Sequence, residues 1–350
     1  MATSGTVGTT SLDVIGLIEK SIKKCGTPVG TVGSEQLDSF KTELFLLLSE
    51  CVNVGVPLWT ITKKVLGLKE NQLYVDMPVG TIDVMNALHR YNVLPSGGTP
   101  ASSSGTSASA FDQDLTTSCT QTASDGWILY DFGSDVVVTT LGLLPATTQA
   151  LNPVYEHSSD GVVWITSVAV GVTSTYIGGQ WYWKDVDAPA SARYYRIRET
   201  SGGTLNLTEL VFGQNANEIP MARINRDDYQ NLPFKNNVGR PLQYWFDRQI
   251  TPRMVLWPTS DSNFNTIVAW TRREIQDIGS YTNILEIPNR WLNDVTLELA
   301  SRISLEIPGV SDSRIATLKA LSQESNLSKW IEERDNSPVS ISFGTRGYTR

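Results

Sequence analysis

Apolar residues recur three and four positions apart at both ends of this chain, which is the spacing of amphipathic helices. The first such run carries Val14, Ile15, Ile18 and Ile22, begins after a capping Ser11 and stops at Cys25-Gly26, where glycine supplies a left-handed C-cap. A second starts at Ser34 and places Leu37, Phe40, Leu44, Leu47, Leu48 and Cys51 on one side. Short strands are expected at Trp59–Thr62 and Gln72–Val75, and the run TIDVMNALHRYNVLP predicts a third helix ended by Pro95. Further on, QYWFDRQ, RMVLWP and NFNTIVAWTRR, separated by turn residues, predict a three-stranded meander. Pro288 then opens a helix with Trp291, Val295, Leu299 and Ile303 in an i+4 stripe, and Ser311 caps a last one with Ile315, Leu318, Leu321, Leu327, Trp330 and Ile331.

Between Pro95 and Glu218 the pattern changes to short alternating runs rich in Gly, Ser and Thr, opened by PSGGTPASSSGTSAS, which reads as a flexible linker. Charge changes at the same border: residues 97–217 hold 4 Lys/Arg against 11 Asp/Glu, so the insert carries −7 of a net −8. The expected fold class is therefore α+β and multidomain, a mainly α-helical domain with a small antiparallel β meander, interrupted by a β-sandwich of jelly-roll type. The expected domains are residues 1–96, the insert 97–217, residues 218–337 and an extended tail 338–350.

The 350 residues suffice for two or three separate cores. Net acidity without a basic stripe argues against broad nucleic-acid affinity. Cys25, Cys51 and Cys119 are widely spaced, with no CxxC, and suggest neither a disulfide framework nor a zinc site. The first residues have no basic and apolar leader pattern, and no stretch reaches the ~20 apolar residues of a membrane span, so a soluble protein made in a cytoplasm is expected.

Candidate catalytic groups are few. His89 and His157 are the only histidines, and HExxH, GxSxG, P-loop and GxGxxG patterns are absent. Asp227-Asp228 and Glu332-Glu333 are adjacent in sequence, diverge in direction and read as solvated charge. A glycosidase pair has no fixed spacing and stays open as an enzymatic reading, but no enzyme is the expectation.

Within the insert, AFDQDLTT, GWILYDFG, SSDGVVW, ARYYRIR and LTELVFG follow one another in order. That series resembles discoidin-like domains, also called F5/8 type C domains, over residues 105–215; many of these are carbohydrate-binding modules. Ser158-Ser159-Asp160-Gly161 is a hairpin turn signal. Trp127 and Trp164 are expected to point inward, and Arg196 and Arg198 share one strand face, exposed or paired with acids. The resemblance implies a structural calcium ion held by Asp112, Asp114, Thr117 and Glu209, although Gln113 replaces the usual glycine and Ser118-Cys119 stand where an aromatic is common. An Asx-turn loop without metal is the alternative reading of the same residues. It also implies glycan contacts from loop aromatics, with Tyr176, Trp181 and Tyr182 as the candidates.

The flanking segments IPMARINRDDYQNLPFKNNVGRPLQYWFDRQITPRMVLWPTSD, TRREIQDIG and IPNRWLNDVTLELASRISLEIPG resemble the head-to-tail adaptor, or connector, proteins of tailed bacteriophages, over residues 10–94 and 218–350. The resemblance implies a virion structural protein at the head–tail junction, assembled in the host cytoplasm as a dodecameric homo-oligomeric ring. Its partners would be the portal protein, tail or nozzle proteins and fibres, with DNA passing through and no membrane. The tail residues Phe343, Arg346, Tyr348 and Arg350 would anchor it to the portal. The competing expectation is a non-catalytic glycan-binding protein whose helices serve only to oligomerise it.

Overall fold

The computed structural model describes residues 11–54, 58–123, 125–169 and 172–332. These fall into two compact units, one built from residues 1–61 and 273–350 and the other from 62–272. The expected tail 338–350, with Phe343, Arg346, Tyr348 and Arg350, lies outside the described residues.

The helical unit begins with α1 (Val14–Cys25) and α2 (Ser34–Val54). The cap of α1 is Asp13 and not Ser11: its carboxylate accepts from the Gly16 amide at 2.9 Å, and Val14, Leu17, Ile18 and Ile22 face inward behind it. Gly26 closes the helix in the left-handed region (φ 82°), as the sequence expects. After the β unit, which also holds the short α3 (Arg226–Asn231), come α4 (Leu292–Ile303) and α5 (Asp312–Glu332). The core joins Leu17, Ile18 and Ile22 to Phe40, Leu44 and Leu47 and to Val295, Leu299 and Ile303. Trp59 meets Trp291 edge-on at 4.6 Å. The Cys25 thiol faces the Ala300 carbonyl, and burial pushes it up to about 11 against the pull of Arg314, so it is inert packing and not a nucleophile.

The other unit is β-structure. Its strands are β1 (Ile61–Gly67), β2 (Tyr74–Asp76), β3 (Thr81–Val93), β4 (Thr99–Ser102), β5 (Cys119–Gln121), β6 (Trp127–Pro145), β7 (Gln149–Leu151) and β8 (Pro153–Ser158). They continue with β9 (Ile165–Ala169), β10 (Ser174–Tyr176), β11 (Tyr182–Asp185), β12 (Ser191–Glu199), β13 (Leu205–Pro220), β14 (Ala222–Arg223), β15 (Gln243–Asp247), β16 (Arg253–Trp257) and β17 (Thr266–Arg273).

Two long strands organise these elements. The first half of β6 pairs with β4 and β12, which leads on to β8 and β9; its second half pairs with β11 and β13. β6 therefore runs through both layers of a sandwich whose interior holds Ile128, Tyr130, Leu141, Leu143, Tyr195, Ile197, Leu207, Leu210 and Phe212. β13 carries on beyond the sandwich: after a register shift between Gln214 and Asn217 it pairs with β3, which neighbours β17 and then β1. A separate sheet, β14-β15-β16-β2, packs Tyr244, Phe246, Met254 and Leu256 against Val84, Ala87 and Ile267.

The expectation of a mainly helical body is overturned, since strand outweighs helix among the described residues. Three local corrections account for this. Residues 81–93 form β3 and not a helix, because a position between β13 and β17 satisfies both backbone edges in a ladder. The meander is incomplete: β15 and β16 pair as expected, but β17 joins the larger sheet beside β3. Part of the expected linker is β4, whose approach needs glycine at 98, where a Cβ would lie 2.3 Å from the Asp131 carbonyl oxygen.

Candidate functional site

A groove of about 680 Å³ lies between β1 and β11 in the β unit. Lys63, Lys64 and Val65 form one wall, Trp183 to Asp187 the other, and Arg90 of β3, Thr139 of β6 and Ala216 and Glu218 of β13 line the remainder. Alternation along β11 directs Trp183 and Asp185 to the same side, and the two walls meet through the ion pair of Lys63 with Asp185.

Arg90 organises the charges. Its side chain is 5% exposed and lies between two carboxylates: Nε donates to Glu218 Oε1 at 3.0 Å, and Nη2 donates to Asp185 Oδ2 at 3.2 Å. Burial pushes the Asp185 carboxyl up, but Arg90 and Lys63 more than offset it, so Asp185 titrates below the ordinary carboxylate range. Trp183 is fixed from behind. Its six-membered ring lies over Gly142 and its indole nitrogen against Gly67, where an added Cβ would come within 2.6 and 2.8 Å of the indole. Trp181 packs on it at 4.9 Å between ring centroids. The result is an aromatic edge beside charged groups whose positions are set by each other, capable of holding a polar ligand but offering no nucleophile-and-base pair.

The sequence-based glycan candidates are placed elsewhere. Trp181 is 7% exposed and packs with Leu144, Val211 and Phe264, and Tyr176 is 8% exposed in the sandwich core. Tyr182 is half-buried against that core, and its hydroxyl accepts from the Ile177 amide at 2.7 Å. Neither Tyr176 nor Trp181 presents a ring face to solvent, because alternation at 181–183 serves packing on both sides of the strand. The aromatic at the groove is Trp183, which the spacing of two residues from Trp181 puts on the same face.

Of the four candidate calcium ligands, Asp112, Asp114 and Thr117 share one hydrogen-bonded loop, and Asp112 acts on the buried Glu209 carboxyl of β13. Asp112 accepts from the Asp114 amide at 3.0 Å and from the Thr117 hydroxyl at 2.8 Å, and Asp114 accepts from the Thr116 amide at 2.9 Å. Gln113 between them stands in the left-handed region (φ 62°), the conformation for which glycine is the usual residue. A register shift between Leu207 and Glu209 in β13 turns Glu209 toward this loop. Glu209 is 1% exposed, its Oε1 has no partner, and burial together with Asp112 raises its carboxyl to about 8. Among the described residues no three acidic, histidine or cysteine side chains are gathered as a complete metal site. The donors are nonetheless all hard oxygens, and the orphaned Glu209 oxygen is the group that a divalent cation would satisfy.

Trp127 and Trp164 are half-buried and belong to none of the core clusters, contrary to the inward orientation expected. Trp127 pairs in register with Arg198, and the Trp164 ring lies 3.9 Å from the Arg196 guanidinium. Arg196 and Arg198 share a face as expected, and both donate to Glu156. His157 meets the Ser167 hydroxyl at 2.7 Å, and His89 is sealed inside the unit.

No family profile and no curated protein matches the chain. Solved structures similar to part of it include carbohydrate-binding modules, several of them of family 32. They include chitosan-binding module 1 of a Paenibacillus sp. IK-5 chitosanase/glucanase (23% identity, TM-score 0.30, 35% of this chain and 97% of that one). A second is the family 32 module of C. perfringens NanJ in complex with galactose (18%, 0.30, 35% and 96%). A third is the module of AlyQ in complex with 4,5-unsaturated mannuronic acid (16%, 0.28, 37% and 95%). The likeness is confined to about a third of the chain, and nothing in these comparisons supports a portal, tail or virion-adaptor role.

Proposed function

We propose that this chain is a non-catalytic saccharide-binding protein that holds its ligand in the groove beside Trp183. The groove itself carries the reading. A sugar presents hydroxyls in several directions and needs matching donors and acceptors already in place, because flexible ones lose entropy on binding. Arg90, Asp185, Lys63 and Glu218 are ordered by mutual pairing before any ligand arrives. A volume of about 680 Å³ admits a mono- to trisaccharide and lies within the roughly 300–1,000 Å³ usual for ligand sites. The expected ring-forming adaptor is not carried forward, since nothing in the comparisons supports it.

The test is a glycan array followed by titration calorimetry on the full chain. Binding of at least one oligosaccharide is expected, and Asp185→Asn should weaken it tenfold or more while the thermal midpoint shifts by only a few degrees. Incubation with bound oligosaccharides should release no reducing sugar. An intact chain that binds nothing on the array sinks the reading.

We further propose that Asp112, Asp114, Thr117 and Glu209 hold a calcium ion that ties the loop at 112–117 to β13. Its role there is structural, since an ion bound to the folded state alone stabilises it by mass action, about 2.7 kcal/mol at a hundredfold excess over Kd. Millimolar calcium should raise the melting temperature of the wild type but not of Glu209→Gln. Equal responses of the two proteins would remove Glu209 from the ligand set.

A further inference from the structure

We infer that Lys63 is a strap across the groove, an autoinhibitory contact that an incoming saccharide displaces from Asp185; this rests on the saccharide-binding reading. Two strand edges make the walls. β1 is laddered to β17 and β11 to β6, and among the described residues no ladder joins β1 to β11. The two strands are nevertheless aligned. A Cβ on Gly67 would lie 2.5 Å from the Trp181 Cβ, while Lys63, four residues back along β1, meets Asp185, four residues on from Trp181. They therefore run antiparallel in one register, tied by packing at Gly67 and by an ion pair at Lys63, with Val65 and Trp183 lining the groove between the ties.

The two cations on Asp185 differ in kind. The Arg90 side chain is 5% exposed, donates to both oxygens of Asp185 and is held in turn by Glu218. The Lys63 side chain is 38% exposed and donates to Oδ2 alone. A carboxylate offers about four acceptor positions. Arg90 fills two and Lys63 a third, so one is open to a sugar hydroxyl while the strap is in place. Release of Lys63 opens a second without disordering the carboxylate, because Arg90 keeps its hold from β3. That release costs little, since an ion pair with a cation this exposed is weak in water and is screened by salt. Salt should therefore favour the binding of an uncharged sugar, the opposite of its effect on a site that attracts a charged one.

The experiment is calorimetric titration of the full chain and of Lys63→Met with the neutral trimers of galactose, glucose and mannose, at about 50 and 500 mM sodium chloride, salt levels that bracket strong and weak screening. A trimer that binds should bind the wild type about two- to fivefold more tightly at high salt, the range expected of an exposed ion pair. Lys63→Met should show that gain already at low salt and lose the salt dependence. Weaker binding by Lys63→Met would overturn the inference by making Lys63 a ligand contact, and a salt-independent wild type would overturn it too; both leave the saccharide-binding reading intact. A second readout needs no sugar. Carbodiimide coupling of the free chain at low salt should join Lys63 Nζ to the Asp185 carboxyl as an amide, found by peptide mass spectrometry, and the coupled chain should bind the trimers less tightly. Absence of that cross-link would overturn the strap whatever the sugars do. A folded chain that binds neither these trimers nor any sugar on the array would remove both readings.

Discussion

His89 sits in β3 with no exposed surface, and neither ring nitrogen has a hydrogen-bond partner. Its ring meets Tyr91 edge-on at 4.6 Å, and the charged groups that act on it are Asp261 and Arg240. Burial, helped by Arg240 and opposed by Asp261, holds it near 4 instead of 6.5. The unfolded chain therefore takes up a proton that the folded chain refuses. The resulting stability is complete above pH 6.5, is lost as pH falls from 6.5 toward 4, and changes no further below. A shift of this size corresponds to roughly 3 kcal/mol across the window. Urea unfolding at pH 7 and at pH 4.5 should show a steep loss in the wild type and a shallower one in His89→Leu; parallel losses would place the acid sensitivity elsewhere. In sequence, LHRYN falls within the run expected to be a helix, and nothing in the residue itself announces burial. Its environment is supplied by strands far away in the chain.

Strands 81–93, 127–145 and 205–220 show what the chain reveals at the scale of elements. The alternation of the sandwich is legible, and so are the turn at Ser158–Gly161, where Asp160 accepts from the Val162 and Val163 amides, and the hairpin of β15 and β16. β3 is not, because Val84, Ala87 and Leu88 satisfy a helical period as well as a strand and only the ladders to β13 and β17 decide. The groove is the least legible part, since its charges come from β1, β3, β11 and β13 and pair only after those strands are assembled. One detail ties element to site: the glycines of β1 and β6 that receive the Trp183 ring. Gly142→Ala would bring a methyl group within 2.6 Å of the ring and displace it. We expect a loss of about 1–3 kcal/mol in chemical denaturation, the usual cost of overpacking, accompanied by loss of ligand binding. An alanine variant with wild-type stability and affinity would show that the indole is free to shift.

For the molecule as a whole, the chain is two units, with the β unit interrupting a helical one. The two ends of the β unit leave side by side, the Thr62 and Thr271 hydroxyls being 3.5 Å apart, so residues 62–272 should fold when expressed alone. The sandwich is a different matter. A fragment of residues 97–217 loses β3 as a partner of β13 and Phe264 as a cover on Trp181, whose rings lie 5.7 Å apart. Its melting temperature should fall well below that of 62–272, and equal midpoints would show that the sandwich is an independent domain after all. The shared strand also sets how the unit bears load. The chain enters the sandwich after Val93 and leaves it at Gln214, which face each other on adjoining strands. A pull that separates these two points opens the ladder like a zip, one hydrogen bond at a time, whereas a pull along β13 must shear its bonds to β6 and β3 together. A ligand dragging on the groove, which is bordered by residues 216 and 218 of that strand, would therefore meet a stiff tether in one direction and a weak one in the other.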